Sequence, residues 1–464
     1  MFIGRKKEMN TLNSHYANDG FSFFCIYGRR RVGKTELIKE FINDKKAIFF
    51  TGVEDTKEVS LALFSNVIHE CLYNSKSKAS YSDFKDAFID IYESSKKEKL
   101  VLVIDEYPYL ARSYPGISSL LQVEIDHRLK DTNLFIILCG SSMSFMESQV
   151  MGHKSPLYGR RTGQIKVLPF DYKTSAEFYP KKKAEENAIL YSITGGIAKY
   201  LQLFCNNKKI DENIVSNFFD SNALLFEEPS NLLKQELREP ALYNSIITAV
   251  AKGASRVNVI STKTGLDSAA CVKYLSNLVE LGIIKREIPI MERETSRKSI
   301  YRLDDGMFRF WYMFVYENLS RIQLGFGEHV YNDIKPQISE FMGEAFEQIC
   351  KDYIWNTKHP FSISKIGRWW GNNPISKSEQ EIDLIAIDSN NSKAIFCECK
   401  WRNKKMSGDV LDDLIGKAGM FEFKEKYYML FSKSGFTTDI KKRAGSEVIL
   451  VDFESMWSEP SPCL

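Results

Sequence analysis

The run Gly28-Arg29-Arg30-Arg31-Val32-Gly33-Lys34-Thr35 satisfies G-x-x-x-x-G-K-[ST] and stands between an apolar run, Phe21 to Tyr27, and an amphipathic stretch, Glu36 to Ile42. Strand, glycine-rich loop, then helix is the order that phosphate binding requires. Backbone N–H groups curl around a phosphate at the positive end of the helix, Lys34 supplies a point charge to the β and γ phosphates, and Thr35 offers its hydroxyl to Mg2+. A second apolar run, Leu100-Val101-Leu102-Val103-Ile104, ends in Asp105-Glu106. Asp105 is placed there to hold Mg2+ through water, and Glu106 to polarise a water aimed at the γ-phosphate. A further apolar run ends in Cys139-Gly140-Ser141-Ser142, where Ser141 reads either as a γ-phosphate sensor or as a turn residue. Tyr158-Gly159-Arg160-Arg161-Thr162 carries two guanidinium groups, with Arg161 as an arginine finger in cis or in trans, or the two as a solvated surface pair.

A second constellation lies near the far end of the chain. Glu381-Ile382-Asp383-Leu384-Ile385-Ala386 is followed, after a turn rich in Asn and Ser, by Ala394-Ile395-Phe396-Cys397-Glu398-Cys399-Lys400-Trp401. Side chains two apart on a strand share a face, so Glu398 and Lys400 point the same way, and a hairpin brings Asp383 toward them. Two carboxylates and a lysine suit metal-assisted phosphodiester hydrolysis: Asp383 and Glu398 bind Mg2+, while Lys400 orients the attacking water or stabilises developing charge.

The elements that must position these residues follow from periodicity. Five strands are expected at Phe21 to Tyr27, Ala47 to Thr51, Leu100 to Asp105, Asn133 to Gly140 and Gln164 to Leu168, with helices between them, as in a parallel sheet flanked by helices. Residues 1–170 thus form a P-loop core and 171–239 a helical lid. Residues 240–305 read as a winged helix, 306–337 as aromatic connecting helices with a core role, and 338–464 as a C-terminal α/β domain with strands at Ile382 to Ile387, Ala394 to Lys400 and Tyr427 to Phe431. In the winged helix, Asp267 to Leu281 is the recognition helix, and Arg293, Arg297 and Lys298 are wing residues able to contact phosphates. Use of that module for protein interaction is the alternative.

Together with Phe2-Ile3-Gly4-Arg5 and Glu8 upstream, and with Tyr158 to Thr162 and Thr194-Gly195-Gly196-Ile197 downstream, the phosphate loop resembles the prokaryotic archaeal-type ATPase family, related to the AAA+ and STAND NTPases. The resemblance covers about residues 1–200. In that family the Gly-Gly motif is followed, after one residue, by Pro, where Ala198 stands here; the departure bears on a lid-mediated sensor and leaves the hydrolytic site intact. The C-terminal arrangement resembles the PD-(D/E)XK nuclease superfamily. That resemblance implies a further acid on the helix before the first core strand, with Glu347 preferred and Glu344 second, and Glu347 then joins the metal ligands. The segment with Gly367-Arg368-Trp369-Trp370-Gly371 also looks like the domain commonly fused to these ATPases.

Composition bounds what remains. With 464 residues, 63 Lys+Arg and 60 Asp+Glu, the net charge of +3 excludes a uniformly basic nucleic-acid coat protein. No apolar run approaches the roughly 18 residues of a membrane-spanning helix, and the charged start, Gly4-Arg5-Lys6-Lys7, is not a secretory signal, so a cytoplasmic protein is expected. Nine scattered cysteines without a CxxC pair argue for reduced thiols. The expected fold class is therefore an α/β multidomain chain: a P-loop NTPase of AAA+ type with helical lid, winged helix and a C-terminal PD-(D/E)XK nuclease-like domain. The expected function is an ATPase acting on DNA, with ATP and Mg2+ as cofactors, Mn2+ as a substitute at the nuclease-like site, and nucleotide state gating a Mg2+-dependent nuclease. The alternatives are a STAND-type switch whose C-terminal domain binds nucleic acid or protein without cutting, and a winged-helix transcription factor with an ATPase regulator. A homo-oligomer and a protein partner at the winged helix are compatible with all three.

Overall fold

A computed structural model describes residues 2–75, 80–373 and 377–458; of the nine cysteines, Cys463 lies outside them, and the eight within are free thiols. The chain divides into two units, Met1–Phe170 with Ile197–Lys199, and Asp171–Gly196 with Tyr200–Leu464.

The first unit is built on β1 (Ser22–Tyr27), β2 (Ala47–Thr51), β3 (Leu100–Asp105), β4 (Leu134–Gly140) and β5 (Gly163–Lys166), a parallel sheet of order β2-β3-β4-β1-β5. Every residue of β1, β3 and β4 is buried, as the unbroken apolar runs require when helices cover both faces. One face packs on Phe64, Phe88 and Leu121, the other on Leu12 and Phe41, and on that face Phe135 of β4 stacks on Phe24 of β1 with ring centroids 5.4 Å apart. The last strand is shorter than the expected Gln164 to Leu168, because Leu168 is 57% exposed and leaves the sheet. The order sets the carboxyl ends of β3, β4 and β1 side by side, and such a row of strand ends is where an open parallel sheet takes its ligand.

The second unit starts as helices, Tyr172–Ala176, Ala184–Thr194, Ile210–Phe218 and Leu224–Glu236. Three more, Pro240–Ala251, Val257–Thr264 and Ser268–Glu280, precede an antiparallel hairpin of β6 (Ile284–Glu287) and β7 (Ile300–Leu303). Asp267 caps the third of these helices by accepting from the amides of Ala269 and Ala270. The aromatic segment is core: Phe308, Phe310 and Phe314 are buried, and Trp311 Nε1 donates to Phe226 O at 2.8 Å.

The helix Ile338–Trp355 leads into a mixed sheet of β8 (Lys365–Asn372), β9 (Glu379–Ile387), β10 (Lys393–Lys400), β11 (Glu425–Ser432) and β12 (Val448–Asp452). Its order is β12-β11-β10-β9-β8; β8, β9 and β10 are antiparallel neighbours, and β10, β11 and β12 are parallel, with the helix Gly408–Ala418 as a crossover. The periodicity of the sequence pointed to three strands here. The two it missed, β8 and β12, are edge strands whose residues are mostly half-buried or exposed; β8 shows no apolar run, and the run of β12, Val448 to Val451, is only four residues long. Among the described residues no helix is long and apolar enough to cross a membrane.

Phe135 fills the face shared by β1, β4 and the helix Lys34–Ile42, touching Phe24 and Phe41 at 5.4 Å. Phe135→Ala should lower the stability of the first unit by about 3–5 kcal/mol, read as a shifted midpoint in denaturant unfolding.

Candidate functional site

The loop after β1 depends on two glycines that no other residue replaces cheaply. Gly28 has φ 150°, and a Cβ there would lie 2.3 Å from the carbonyl oxygen of Val167; Gly33, at φ 95°, caps the helix Lys34–Ile42. Lys34 is 6% exposed and its Nζ donates to Gly28 O at 2.8 Å and Arg29 O at 2.9 Å, so the ammonium sits inside the loop. Burial pulls its pKa below the ordinary lysine value, against the charges of Glu106 and Asp105. Around the loop, Arg30 Nη2 donates to Tyr109 OH at 2.8 Å, Arg31 adopts φ 69° and accepts at its carbonyl from Lys199 N at 3.1 Å, and Val32 is fully buried. The Val32 carbonyl accepts from Arg5 Nη2 at 2.8 Å, while the Arg5 guanidinium lies 4.0 Å from the centroid of the Phe170 ring. Arg5 is thus a support of the loop that sequence reasoning named without a role. Its only signal was Gly4-Arg5, a pair in which both residues take positive φ. Ala198 meets the same loop, 3.5 Å from where a Gly33 Cβ would be.

At the end of β3, Asp105 is buried and its Oδ2 accepts from Thr35 Oγ1 at 2.9 Å, joining the hydroxyl and the carboxylate that the sequence paired as Mg2+ partners. Asp105 Oδ1 accepts from Glu106 N at 3.1 Å. Glu106 takes φ 49°, a left-handed conformation that costs a non-glycine residue about 1–2 kcal/mol, and its Oε2 accepts from Ser141 Oγ at 3.0 Å and Ser141 N at 3.3 Å. Ser141, at the end of β4, therefore holds the candidate base. The arginines behave otherwise. Arg160 makes a two-pronged ion pair with Asp126 at 2.8 and 2.6 Å, and Arg161 Nη1 donates to Met151 O at 3.1 Å. Within this chain Arg161 does not join the hydrogen-bonded set of Thr35, Asp105, Glu106 and Ser141, because its side chain is tied to the backbone ahead of β5.

In the second unit, the pairing of Cys397 with Leu384 sets Asp383 and Glu398, next on each strand, opposite one another. Asp383 Oδ2 accepts from Cys399 N at 2.8 Å; Lys400 Nζ donates to Glu398 Oε1 and lies 3.9 Å from Asp383 Oδ2. The structure thus brings Asp383, Glu398 and Lys400 together. Burial raises the pKa of Asp383 and of Glu398, and Asp383 raises Glu398 further; burial opposes the charge of Lys400, yet the two carboxylates hold its ammonium above the ordinary value. Glu347 departs from the expectation that it completes a set of metal ligands. Among the described residues no group of three His, Cys, Asp or Glu side chains is close enough to hold a metal ion. Its Oε2 lies 3.5 Å from Arg368 Nε, and burial together with Asp383 pushes its pKa up to about 8. The second choice, Glu344, is engaged by Arg302 and Arg309 at 3.1 and 3.2 Å. The wing residue Lys298 pairs with Glu292 at 2.6 Å; Arg293 and Arg297 are exposed.

The Glu347 shift has a sign that can be tested. Above its ordinary value of 4.5 the unfolded chain releases a proton that the folded chain keeps until about pH 8. Burial of Glu347 therefore costs stability progressively across that window, on the order of a few kcal/mol at its upper end. Denaturant unfolding at pH 5 and pH 8 should show wild type losing more stability than Glu347→Gln as the pH rises.

Residues 2–204 match a family described as an ATPase domain predominantly from Archaea, and residues 311–410 a family of archaeal and bacterial proteins of unknown function. An uncharacterized protein of Methanocaldococcus jannaschii is 32% identical over 471 residues, covering 98% of this chain and 99% of that protein. An uncharacterized ATP-binding protein of the same organism is 46% identical over 46 residues, 10% of this chain and 78% of that protein. Among solved structures, the Aeropyrum pernix ORC2 protein, in ADPNP-ADP complexes, aligns with TM-score 0.45 and 12% identity over 69% of this chain and 95% of that one. Cdc6p of Pyrobaculum aerophilum aligns with TM-score 0.35 and 14% identity over 70% of this chain and 94% of that one. By its end-to-end relationship to the Methanocaldococcus protein the chain belongs to that protein's family, and it joins an archaeal-type ATPase domain to a domain shared with archaeal and bacterial proteins of unknown function.

Proposed function

We propose that this ATPase acts on DNA, and that the nucleotide state at Lys34, Thr35, Asp105 and Glu106 gates a Mg2+-dependent, nuclease-like site at Asp383, Glu398 and Lys400. The observation that carries the reading is the second site: two buried carboxylates opposite one another on β9 and β10, with a lysine ammonium against both. Support for DNA comes from the three helices and hairpin of residues 240–303, read as a winged helix with the capped helix Ser268–Glu280 as its reading element. Residues 171–239 serve as the lid. Three further parts of the reading are a homo-oligomer, an arginine finger at Arg161 given across subunits, and a location in the cytoplasm.

At the first site Lys34 neutralises the β and γ phosphates, and Glu106 draws a proton from the attacking water while Ser141 fixes its carboxylate. Thr35 Oγ1 and Asp105 Oδ2, 2.9 Å apart, fit Mg2+. At the second site Asp383 and Glu398 fit it as well, since a cation would stabilise the two charges that burial disfavours and relieve the push of Asp383 on Glu398. A divalent ion there, Mg2+ or Mn2+, would polarise the scissile phosphate and lower the pKa of a bound water. Lys400 then holds the charge that develops on the phosphoryl oxygens.

A second reading is a STAND-type switch that binds without cutting, and one observation favours it: Lys400 is already paired with both Glu398 and Asp383, and Glu347 faces Arg368 rather than joining them.

The test is cleavage of linear, circular, single-stranded and branched DNA in Mg2+ and Mn2+, with and without ATP. Lys34→Ala should lower ATP hydrolysis about 100-fold or more and change the ATP dependence of cleavage, and Asp383→Ala should abolish cleavage. Intact ATP hydrolysis with no cleavage on any substrate would favour the switch.

A further inference from the structure

Strand β8 is irregular at one point. Its pairing with β9 shifts register between Gly367 and Trp369, where the single residue Arg368 stands opposite two residues of β9, Asp383 and Leu384, so the bulge lies in β9 and Arg368 faces it. The Arg368 side chain is 12% exposed and is faced by three carboxylates. Nη2 donates to Glu381 Oε2 at 3.3 Å, while Nε stands 3.5 Å from Glu347 Oε2 and Nη1 stands 3.7 Å from Glu287 Oε2. Neither Nε nor Nη1 makes a hydrogen bond, and Glu287 Oε2 is also buried without one. The carboxylates that Nε and Nη1 face, Glu347 and Glu287, line a smaller cavity of about 180 Å3, whereas Glu381, the partner of Nη2, lines a larger cleft. Glu381 is two residues from Asp383 on the same strand and therefore on the same face, so Arg368 stands beside the carboxylate pair.

Arg368 also lines a cleft of about 720 Å3 that Arg256, Arg302 and Arg309 share, with the half-buried indole of Trp370. Four guanidinium groups face three carboxylates there, from Glu344, Glu379 and Glu381. Two of the cations share one acid, since Arg302 and Arg309 both reach Glu344. A third pair, Arg256 with Glu379 at 3.8 Å, is 62% and 79% exposed and so exchanges readily for another anion.

We propose that this cleft takes an unpaired nucleic-acid strand, with Arg368 on a backbone phosphate and Trp370 stacked on a base. The proposal rests on the reading of the C-terminal sheet as a site that acts on DNA, and it narrows the substrate to a single strand. Guanidinium groups interleaved with an aromatic ring hold a phosphate backbone and an exposed base face, and a base inside a duplex has no exposed face. The volume lies within the roughly 300–1,000 Å3 of ligand clefts, room for a nucleotide or two and not for a double helix.

The test is fluorescence anisotropy of a labelled oligothymidylate and of a blunt duplex of equal length, using the full chain in EDTA without ATP. Wild type should bind the single strand at least about tenfold more tightly than the duplex. Trp370→Ala and Arg368→Ala should each weaken strand binding about tenfold or more, the range of a lost base stack, and Arg368→Lys several-fold, since it keeps the cation and loses the fork. Should Arg368→Ala lose its cooperative melting, Arg368→Lys and Trp370→Ala carry the test. Strand binding unchanged in these variants, or a duplex bound as tightly as the strand, overturns the proposal. The readout needs no cleavage. A chain that binds the strand as described and cuts nothing overturns the nuclease reading alone, and a chain that cuts while these variants bind normally overturns only this one.

Discussion

A carboxylate buried in a strand must be met by donors, and both sites are organised by that need. Asp105 closes β3 with 3% exposure and is met by Thr35 Oγ1 and the amide of Glu106. Asp383, in β9, is 7% exposed and is met by the amide of Cys399 and, at longer range, by Lys400. In each case one donor is a backbone amide, placed by the turn after the strand or by the neighbouring strand. The other belongs to a side chain whose own position depends on the fold. The first site thereby links a loop to a strand 70 residues away; the second is set by the register of two strands.

The same electrostatics separates two acids on one helix. Glu344 and Glu347 are three residues apart on Ile338–Trp355, close to a full turn. Burial pushes both carboxyls up, but Arg309, Arg302 and Lys285 hold Glu344 below its ordinary value, whereas Glu347 faces Asp383 and is raised to about 8. Which of them is charged at neutral pH is decided by their partners. Arg368 belongs to the same field: it reaches Glu287, Glu347 and Glu381, and only the last of these contacts has the geometry of a hydrogen bond.

Strain in the first unit is concentrated at its site. Of the unit's four described non-glycine residues at positive φ, Arg5, Arg31 and Glu106 lie within or against the phosphate loop or the end of β3, and the fourth, Asn74, ends the helix Lys57–Tyr73. The three at the site are held by specific bonds: Arg5 to the Val32 carbonyl, the Arg31 carbonyl by Lys199, and Glu106 by Ser141. A loop so braced presents its amides in one arrangement, so little ordering remains to be done when a phosphate arrives.

Local sequence determined a good deal. The runs that became β1 to β4, β9, β10 and β11 are apolar because they are buried on one or both faces, and the phosphate loop and the Glu398 and Lys400 pair are legible because their spacing is local. The edge strand β8 was not legible, since its half-exposed residues leave no apolar run, and the four apolar residues Val448 to Val451 of β12 are too few for periodicity to tell strand from helix. Nor were the partners that cross the fold: Arg5 with Val32 over 27 residues, Ser141 with Glu106 over 35, and Arg368, which faces a bulge in β9, with Glu347. Periodicity reports whether a side chain is buried, and spacing reports what lies near it along the chain. Which charge meets which is decided by strand register and packing, and these are properties of the assembled sheets alone.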